Sequence, residues 1–217
     1  MKTFLSIGSG PGIGTATAVR FAREGFRIVL TSRNTTSLVE RANRFVAEGH
    51  QVETRTVDAG NLASVSALVR DVETQFGAID VLHFNSASMR AATIKTQATE
   101  TFVPDLTVNI GAALVAVQEV SRGMLARGAG TILLTGGRFA VAPDPDYLSL
   151  SIGKAGLRAL TQALFVPFRN QGVHIGSVIV STMVAAESRE AQGVADAFWR
   201  FHSSPTEAWL PEVTYSG

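Results

Sequence analysis

Short apolar runs alternate along this chain with longer segments in which apolar residues recur every three or four positions. Runs over residues 3–7, 27–31, 51–57, 79–84, 131–134 and 173–180 read as strands, with a last short one over 212–215. Helical periodicity fills the intervals at 12–24, 35–48, 62–76, 100–127, 149–169 and 187–201. Gly25, Gly49, Gly77 and Gly172 each follow a helical stretch, where a residue without Cβ closes the helix in the left-handed region. Pro143-Asp144-Pro145-Asp146 fits neither a regular helix nor a central strand and reads as a loop. Strands separated by helices require crossovers, and right-handed crossovers cover both faces of a parallel sheet. The pattern predicts an α/β chain with a doubly wound, Rossmann-like sheet of seven strands and helices on both faces.

Composition narrows the function classes. With 217 residues, 46% hydrophobic and 17% charged, the chain has the material for one domain over 1–217 and is too apolar for a disordered one. A net charge of +1 without blocks of either sign argues against nucleic acid or a membrane surface as partner. Zero cysteines exclude a disulfide scaffold, a zinc ribbon and a thiol nucleophile, and fit a cytoplasmic address. The N-terminus has no signal-peptide pattern, and no run approaches the ~20 uninterrupted apolar residues of a membrane helix, so a soluble protein is expected. His50, His83, His174 and His202 show no metal-ligand spacing, and no metal site is proposed.

Gly8-Ser9-Gly10-Pro11-Gly12-Ile13-Gly14 falls between the first strand and the first helix. At that position glycines let the backbone turn sharply and approach a diphosphate, which the free amides and dipole of the helix start attract. A methyltransferase nucleotide site fits the glycines equally well. The second strand separates the cases. A carboxylate for a ribose is expected about 20 residues on, but the chain there reads Thr31-Ser32-Arg33-Asn34. The fixed fork of Arg33, with the Ser32 hydroxyl, suits a 2′-phosphate, so NADP(H) is favoured over NAD(H).

These features resemble the short-chain dehydrogenase/reductase family, from Lys2 to about Val180. Gly8, Gly12 and Gly14 are similar to its cofactor loop, with Ser9 and Ile13 between them. The resemblance implies that Asp58 meets the adenine and that Asn85 stands at the cofactor-side end of the fourth strand. Asn109 matches the helix asparagine that orders a water in the proton relay. Lys154, in Ser151-Ile152-Gly153-Lys154-Ala155, matches the lysine that binds the nicotinamide ribose. The chain has 16 arginines and only three lysines, so a lysine here points to a task arginine cannot perform.

Two family groups are missing. The tyrosine expected four residues before the lysine is Leu150, and the serine expected near 137 is Gly137, with Thr135 the nearest hydroxyl. Tyr147 is a candidate replacement acid, although seven residues of helix put it about 10 Å from Lys154 along the axis; otherwise it packs under the proline loop. Ser149 and Ser151 read as helix-start residues. After the sixth strand the chain enters a helix almost directly, which implies a shortened substrate lobe.

The sequence therefore predicts an NADP(H)-dependent oxidoreductase acting on a small carbonyl or alcohol, with Lys154, Asn109 and Tyr147 in an altered relay. The alternative is a nucleotide-binding sensor or assembly protein that has lost catalysis. The resemblance also implies a homodimer or homotetramer built on the two longest helices. Phe198, Trp199, Phe201 and Trp209 are expected to form an aromatic cluster near the C-terminus.

Overall fold

A computed structural model describes residues 1–217. Seven strands, β1 (Thr3–Ile7), β2 (Arg27–Ser32), β3 (Val52–Thr56), β4 (Val81–Phe84), β5 (Gly130–Thr135), β6 (Val173–Val180) and β7 (Glu212–Tyr215), form one sheet in the order β3-β2-β1-β4-β5-β6-β7. Every pairing is parallel. The order reverses between β1 and β4, which opens a crevice above the carboxyl ends of those strands.

Alternation along the strands creates two cores. Leu5, Ile7, Leu82, Phe84, Ile132 and Leu134 face α3 (Leu62–Phe76), α5 (Ala112–Arg127) and α6 (Leu148–Arg169). Phe4, Ile28, Leu30, Val81 and Leu133 face α1 (Ile13–Arg23), α2 (Thr35–Ala47) and α7 (Arg189–Ser203). The period of two is thus satisfied on both faces, as a buried parallel sheet requires.

Helix ends follow local chemistry. Asn34, Asn61 and Ser188 cap α2, α3 and α7 by accepting from the amides of Ser37, Ser64 and Ala191. Gly25, Gly49, Gly77 and Gly172 all have positive φ. The helix expected from residue 187 begins at Arg189, because Glu187 stands in the left-handed region at φ 57° and Ser188 is the N-cap of α7.

The long helix expected over 100–127 spans Thr99–Arg127, but it is not uniform. A π-helical turn, Thr107–Gly111, joins α4 (Thr99–Leu106) to α5. By length and composition this helix could cross a bilayer, yet Ala112, Ala116, Val120 and Met124 cover the sheet. The C-terminal aromatics divide into two groups. Phe198 and Phe201 are core and Trp199 packs on Phe21, while Trp209 stacks on His174, which is itself stacked on Phe201.

Candidate active site

The turn from β1 into α1 is shaped by its own packing. A Cβ on Gly8 would lie 2.6 Å from the Ser86 amide nitrogen, and one on Gly14 would lie 2.6 Å from the Gly8 carbonyl oxygen. Gly10 and Gly12 meet no such obstacle: nothing approaches within 4 Å of the first, and the second has its nearest atom at 3.7 Å. The chain thus excludes side chains at 8 and 14 and leaves space above 10 and 12.

Ser9 holds this turn to the sheet. Its amide donates to the Thr31 carbonyl at 2.8 Å, its hydroxyl donates to the Ser6 carbonyl at 3.1 Å, and it accepts from the Thr31 amide at 2.9 Å. The amide and the hydroxyl of Ser9, a candidate cofactor residue, are therefore both engaged inside the protein. The Asn85 side-chain amide donates to the Gly8 carbonyl at 2.8 Å, so Asn85 also fixes the turn. The amides of Gly12, Ile13 and Gly14 have no acceptor in the protein, the first engaged amide of α1 being that of Thr15. Three free N–H groups at a helix start make a receptor for an oxyanion.

Beside the turn lies a cleft of about 320 Å3, walled by Gly8, Gly10, Ser32, Arg33, Asp58 and Ser86 among others. Arg33 is exposed on its rim and pairs with no carboxylate. The Ser32 hydroxyl accepts from the Asn34 amide, and Asp58 accepts from Gly60 with one oxygen to close its own turn. Of the sequence-expected residues, Gly8, Ser9, Ser32, Arg33, Asp58 and Asn85 thus line one crevice.

Lys154 belongs to a different pair of elements, β5 and α6. Its ammonium donates to the Thr135 carbonyl at 2.6 Å, and no carboxylate pairs with it. Burial without a counter-charge lowers its pKa from 10.5 to about 8. Leu150, one turn earlier, is 3% exposed. The Thr135 hydroxyl bonds to His83 Nε2 at 3.1 Å, and His83 is fully buried against Phe198. Burial pushes His83 down to about 3, so it is neutral at ordinary pH. Thr135 thus bonds His83 through its hydroxyl and Lys154 through its carbonyl.

Residues 2–193 match the family model described as short chain dehydrogenase. The chain belongs to the short-chain dehydrogenase family. Glucose 1-dehydrogenase of Gluconobacter oxydans is 27% identical over 185 residues, covering 84% of this chain and 70% of the relative. The BbsD subunit of (2S)-[(R)-hydroxy(phenyl)methyl]succinyl-CoA dehydrogenase from Thauera aromatica is 28% identical over 177 residues, covering 82% and 71%. Among solved structures, a short-chain dehydrogenase from Rhodopseudomonas palustris superposes with a TM-score of 0.91 at 26% identity, covering 100% of this chain and 98% of that one.

Within this member of the family, the remaining expected residues make contacts that the sequence did not show. Tyr147 stands at the head of α6 and stacks on Phe139, with ring centroids 5.5 Å apart. Its hydroxyl forms no bond with Lys154, whose ammonium is on Thr135. Asn109 lies in the π turn, where its carbonyl oxygen accepts from the Ser88 amide at 2.7 Å and its amide donates to the Ser88 carbonyl at 3.1 Å. The side chain thereby clamps the segment leaving β4, and Gly153 is glycine because Asn109 occupies the place of its Cβ.

Next to that clamp is a network not anticipated from sequence. Asp105, 2% exposed, accepts from Arg90 Nε at 2.7 Å, from Ser88 Oγ at 2.6 Å and from Ser149 Oγ at 2.9 Å. Burial alone would raise its carboxyl, but the bonds from Arg90, Ser88 and Ser149 and the Arg90 charge outweigh it and hold it below the usual carboxylate range. Ser149 starts the helix that carries Lys154, and Ser88 lines the cleft, so one carboxylate joins the two halves of the site. These partners are far apart in sequence, and no spacing rule links them.

Proposed function

We propose that this chain is an NADP(H)-dependent oxidoreductase of small carbonyl or alcohol substrates in which Lys154 itself carries the relay proton. The observation that carries this reading is an ammonium lowered to about 8, bonded to a carbonyl and paired with no acid, where the usual phenol is replaced by Leu150. A bound nicotinamide would supply or take the hydride. The chain's part is to hold the dinucleotide and manage one proton. The amides of Gly12, Ile13 and Gly14 receive the diphosphate, Arg33 and Ser32 a 2′-phosphate, and Asp58 the adenine. Ser9 and Asn85 keep that turn in shape.

Lys154 binds the nicotinamide ribose and holds a proton at Nζ. In reduction the substrate oxygen gains charge as its carbon gains hydride, and Nζ, directly or through a water held beside it and Asn109, donates the proton. A group with a pKa near 8 suits this task at neutral pH better than an ordinary lysine. Tyr147 and Phe139 supply an aromatic wall for the substrate. NADP-bound neighbours of the same fold support the cofactor class: one is a metagenomic short-chain oxidoreductase in complex with NADP, at 22% identity and TM-score 0.91.

The same reading treats 1–217 as one cytoplasmic domain with a shortened substrate lobe, the eight residues 181–188 between β6 and α7. It assembles as a homodimer or homotetramer through α6, whose exposed Ile152, Ala155, Ala159, Ala163 and Val166 form an apolar stripe. Steady-state NADPH oxidation over aldehydes, ketones and quinones tests the activity, and turnover must fall in Lys154→Ala and stay nearly unchanged in Tyr147→Phe, which keeps the aromatic wall. A second reading, a dinucleotide-binding sensor without catalysis, is favoured by the loss of hydroxyls at 137 and 150 and by the diversion of Thr135 to His83. Tight NADPH binding with no turnover on any substrate would establish it instead.

A further inference from the structure

We infer that the groove on the outer face of α1, between α2 and α7, is a binding site for a compact phosphorylated anion, separate from the dinucleotide cleft and independent of the function proposed above. The groove has a volume of about 420 Å3. Its floor is apolar, formed by Ala16 and Val19 of α1, Phe45 of α2 and Ala195 of α7. Around that floor stand four arginines, Arg20 and Arg23 on α1 and Arg41 and Arg44 on α2. Each pair is three residues apart on its helix, an arrangement in which like charges repel.

Two of the four are already neutralised. Arg20 is held by Glu24 and Asp196, and Arg44 reaches Glu187 at 2.5 Å. Arg23 and Arg41 have no carboxylate partner. The remaining acid of the groove, Glu48, lies 3.6 Å from His50. Arg41 is the more telling, because its Nε is buried without an acceptor and its only hydrogen bond is a long one, 3.5 Å, to the Ser37 hydroxyl. Burial lowers the Arg41 pKa below its usual value, Glu40 offsets this in part, and Arg44 reinforces it. A buried charged donor left without an acceptor is unfavourable, and an oxyanion in the groove supplies what is missing. The guanidinium fork fits phosphate oxygens in pairs, and the apolar floor accepts the rest of a small ligand. Glu187 of the segment leading into α7 crosses to Arg44 and closes one end of the groove, which limits the ligand to a compact one.

Inorganic pyrophosphate is the probe, titrated calorimetrically into the full chain with and without saturating NADPH. We expect saturable binding that persists with NADPH present. With NADPH filling the dinucleotide cleft, it should weaken at least tenfold in Arg23→Gln/Arg41→Gln, roughly the effect of one charge-assisted bond, and stay unchanged in Arg33→Ala. No saturable heat up to about 10 mM, or loss in Arg33→Ala with the double variant unaffected, would overturn the assignment, the latter by placing the anion in the dinucleotide cleft. Circular dichroism of the double variant reports its folding. Should it unfold, the wild-type chain still decides. Pyrophosphate must protect the Arg23 and Arg41 peptides from phenylglyoxal, read by mass spectrometry, and equal labelling with and without pyrophosphate refutes the site.

Discussion

Lys154 offers the sharpest test of the relay, because its titration can be read without knowing the substrate. Its ammonium lies between β5 and α6, donates to one carbonyl and pairs with no carboxylate, and partial burial lowers it to about 8. At pH 7 about nine-tenths of the side chain is then charged, and at pH 9 about one-tenth. The chain has three lysines, Lys2, Lys95 and Lys154, so protein labelled with carbon-13 at lysine Cε gives three signals. One of them should titrate with a midpoint near 8 and vanish in Lys154→Met. The unfolded chain binds the proton more tightly than the folded one, so folding stability should rise with pH between about 8 and the ordinary lysine value near 10.4. Carbonyl reduction should fall about tenfold per pH unit above 8 in the wild type. In Lys154→Arg, whose charge does not titrate there, that limb should be absent. Three signals all titrating above 10, or an identical alkaline limb in the arginine variant, would refute the assignment of the proton to Nζ.

Arg33→Ala removes an exposed cation with no partner in the protein, so stability should not change, while NADPH binding measured by fluorescence should weaken about 10- to 100-fold with NADH unchanged. Equal losses for the two would remove the 2′-phosphate role. Gly14→Ala forces a Cβ to within 2.6 Å of the Gly8 carbonyl oxygen and should destabilise the chain by about 1–3 kcal/mol in urea titration. Gly10→Ala meets nothing within 4 Å and should be nearly neutral in stability. Asp105→Asn removes the charge that Arg90, Ser88 and Ser149 bond and should lower the urea midpoint. Because the folded Asp105 carboxyl lies below its usual range, its contribution is present above the ordinary carboxylate pKa and disappears as pH falls through the lowered folded value, so the variant should show a weaker acid dependence.

The fold was legible because both of its signals are local. Short apolar runs such as Phe4-Leu5-Ser6-Ile7 and the glycine closures at 25, 49, 77 and 172 depend on neighbours in sequence. The helix start misplaced at 187 shows the limit: nothing in the composition of that segment announces a left-handed glutamate. The candidate cofactor residues could be named from sequence for the same reason, since the turn at 8–14 and the end of β2 each fall within one βα unit. Lys154 stood out because the chain otherwise takes arginine. The directions in which side chains make their bonds were not legible. Ser9 turns to the sheet, Thr135 to His83 and Asn109 to Ser88, each set by a partner 21 to 52 positions away.

The substitutions in this chain also fall on one side of a physical division. The groups proposed for the dinucleotide's phosphates and adenine lie at the ends of β1, β2 and β3, and the backbone amides among them depend on the turn held by Ser9, Thr31 and Asn85. The groups that would deliver a proton come from β5 and α6, and there Leu150 and Gly137 have replaced hydroxyls. Nothing in the first set bonds to the side chains at 137 or 150, so those positions can change without loosening the anion receptor. Lys154 remains constrained in a way the two lost hydroxyls are not: a bond to the Thr135 carbonyl fixes its head, and the helix that carries it is tied through Ser149 to Asp105 and through Gly153 to Asn109. A lysine held by packing on two sides keeps its place without a phenol beside it, and the proposed relay asks it to carry the proton with a pKa lowered to about 8.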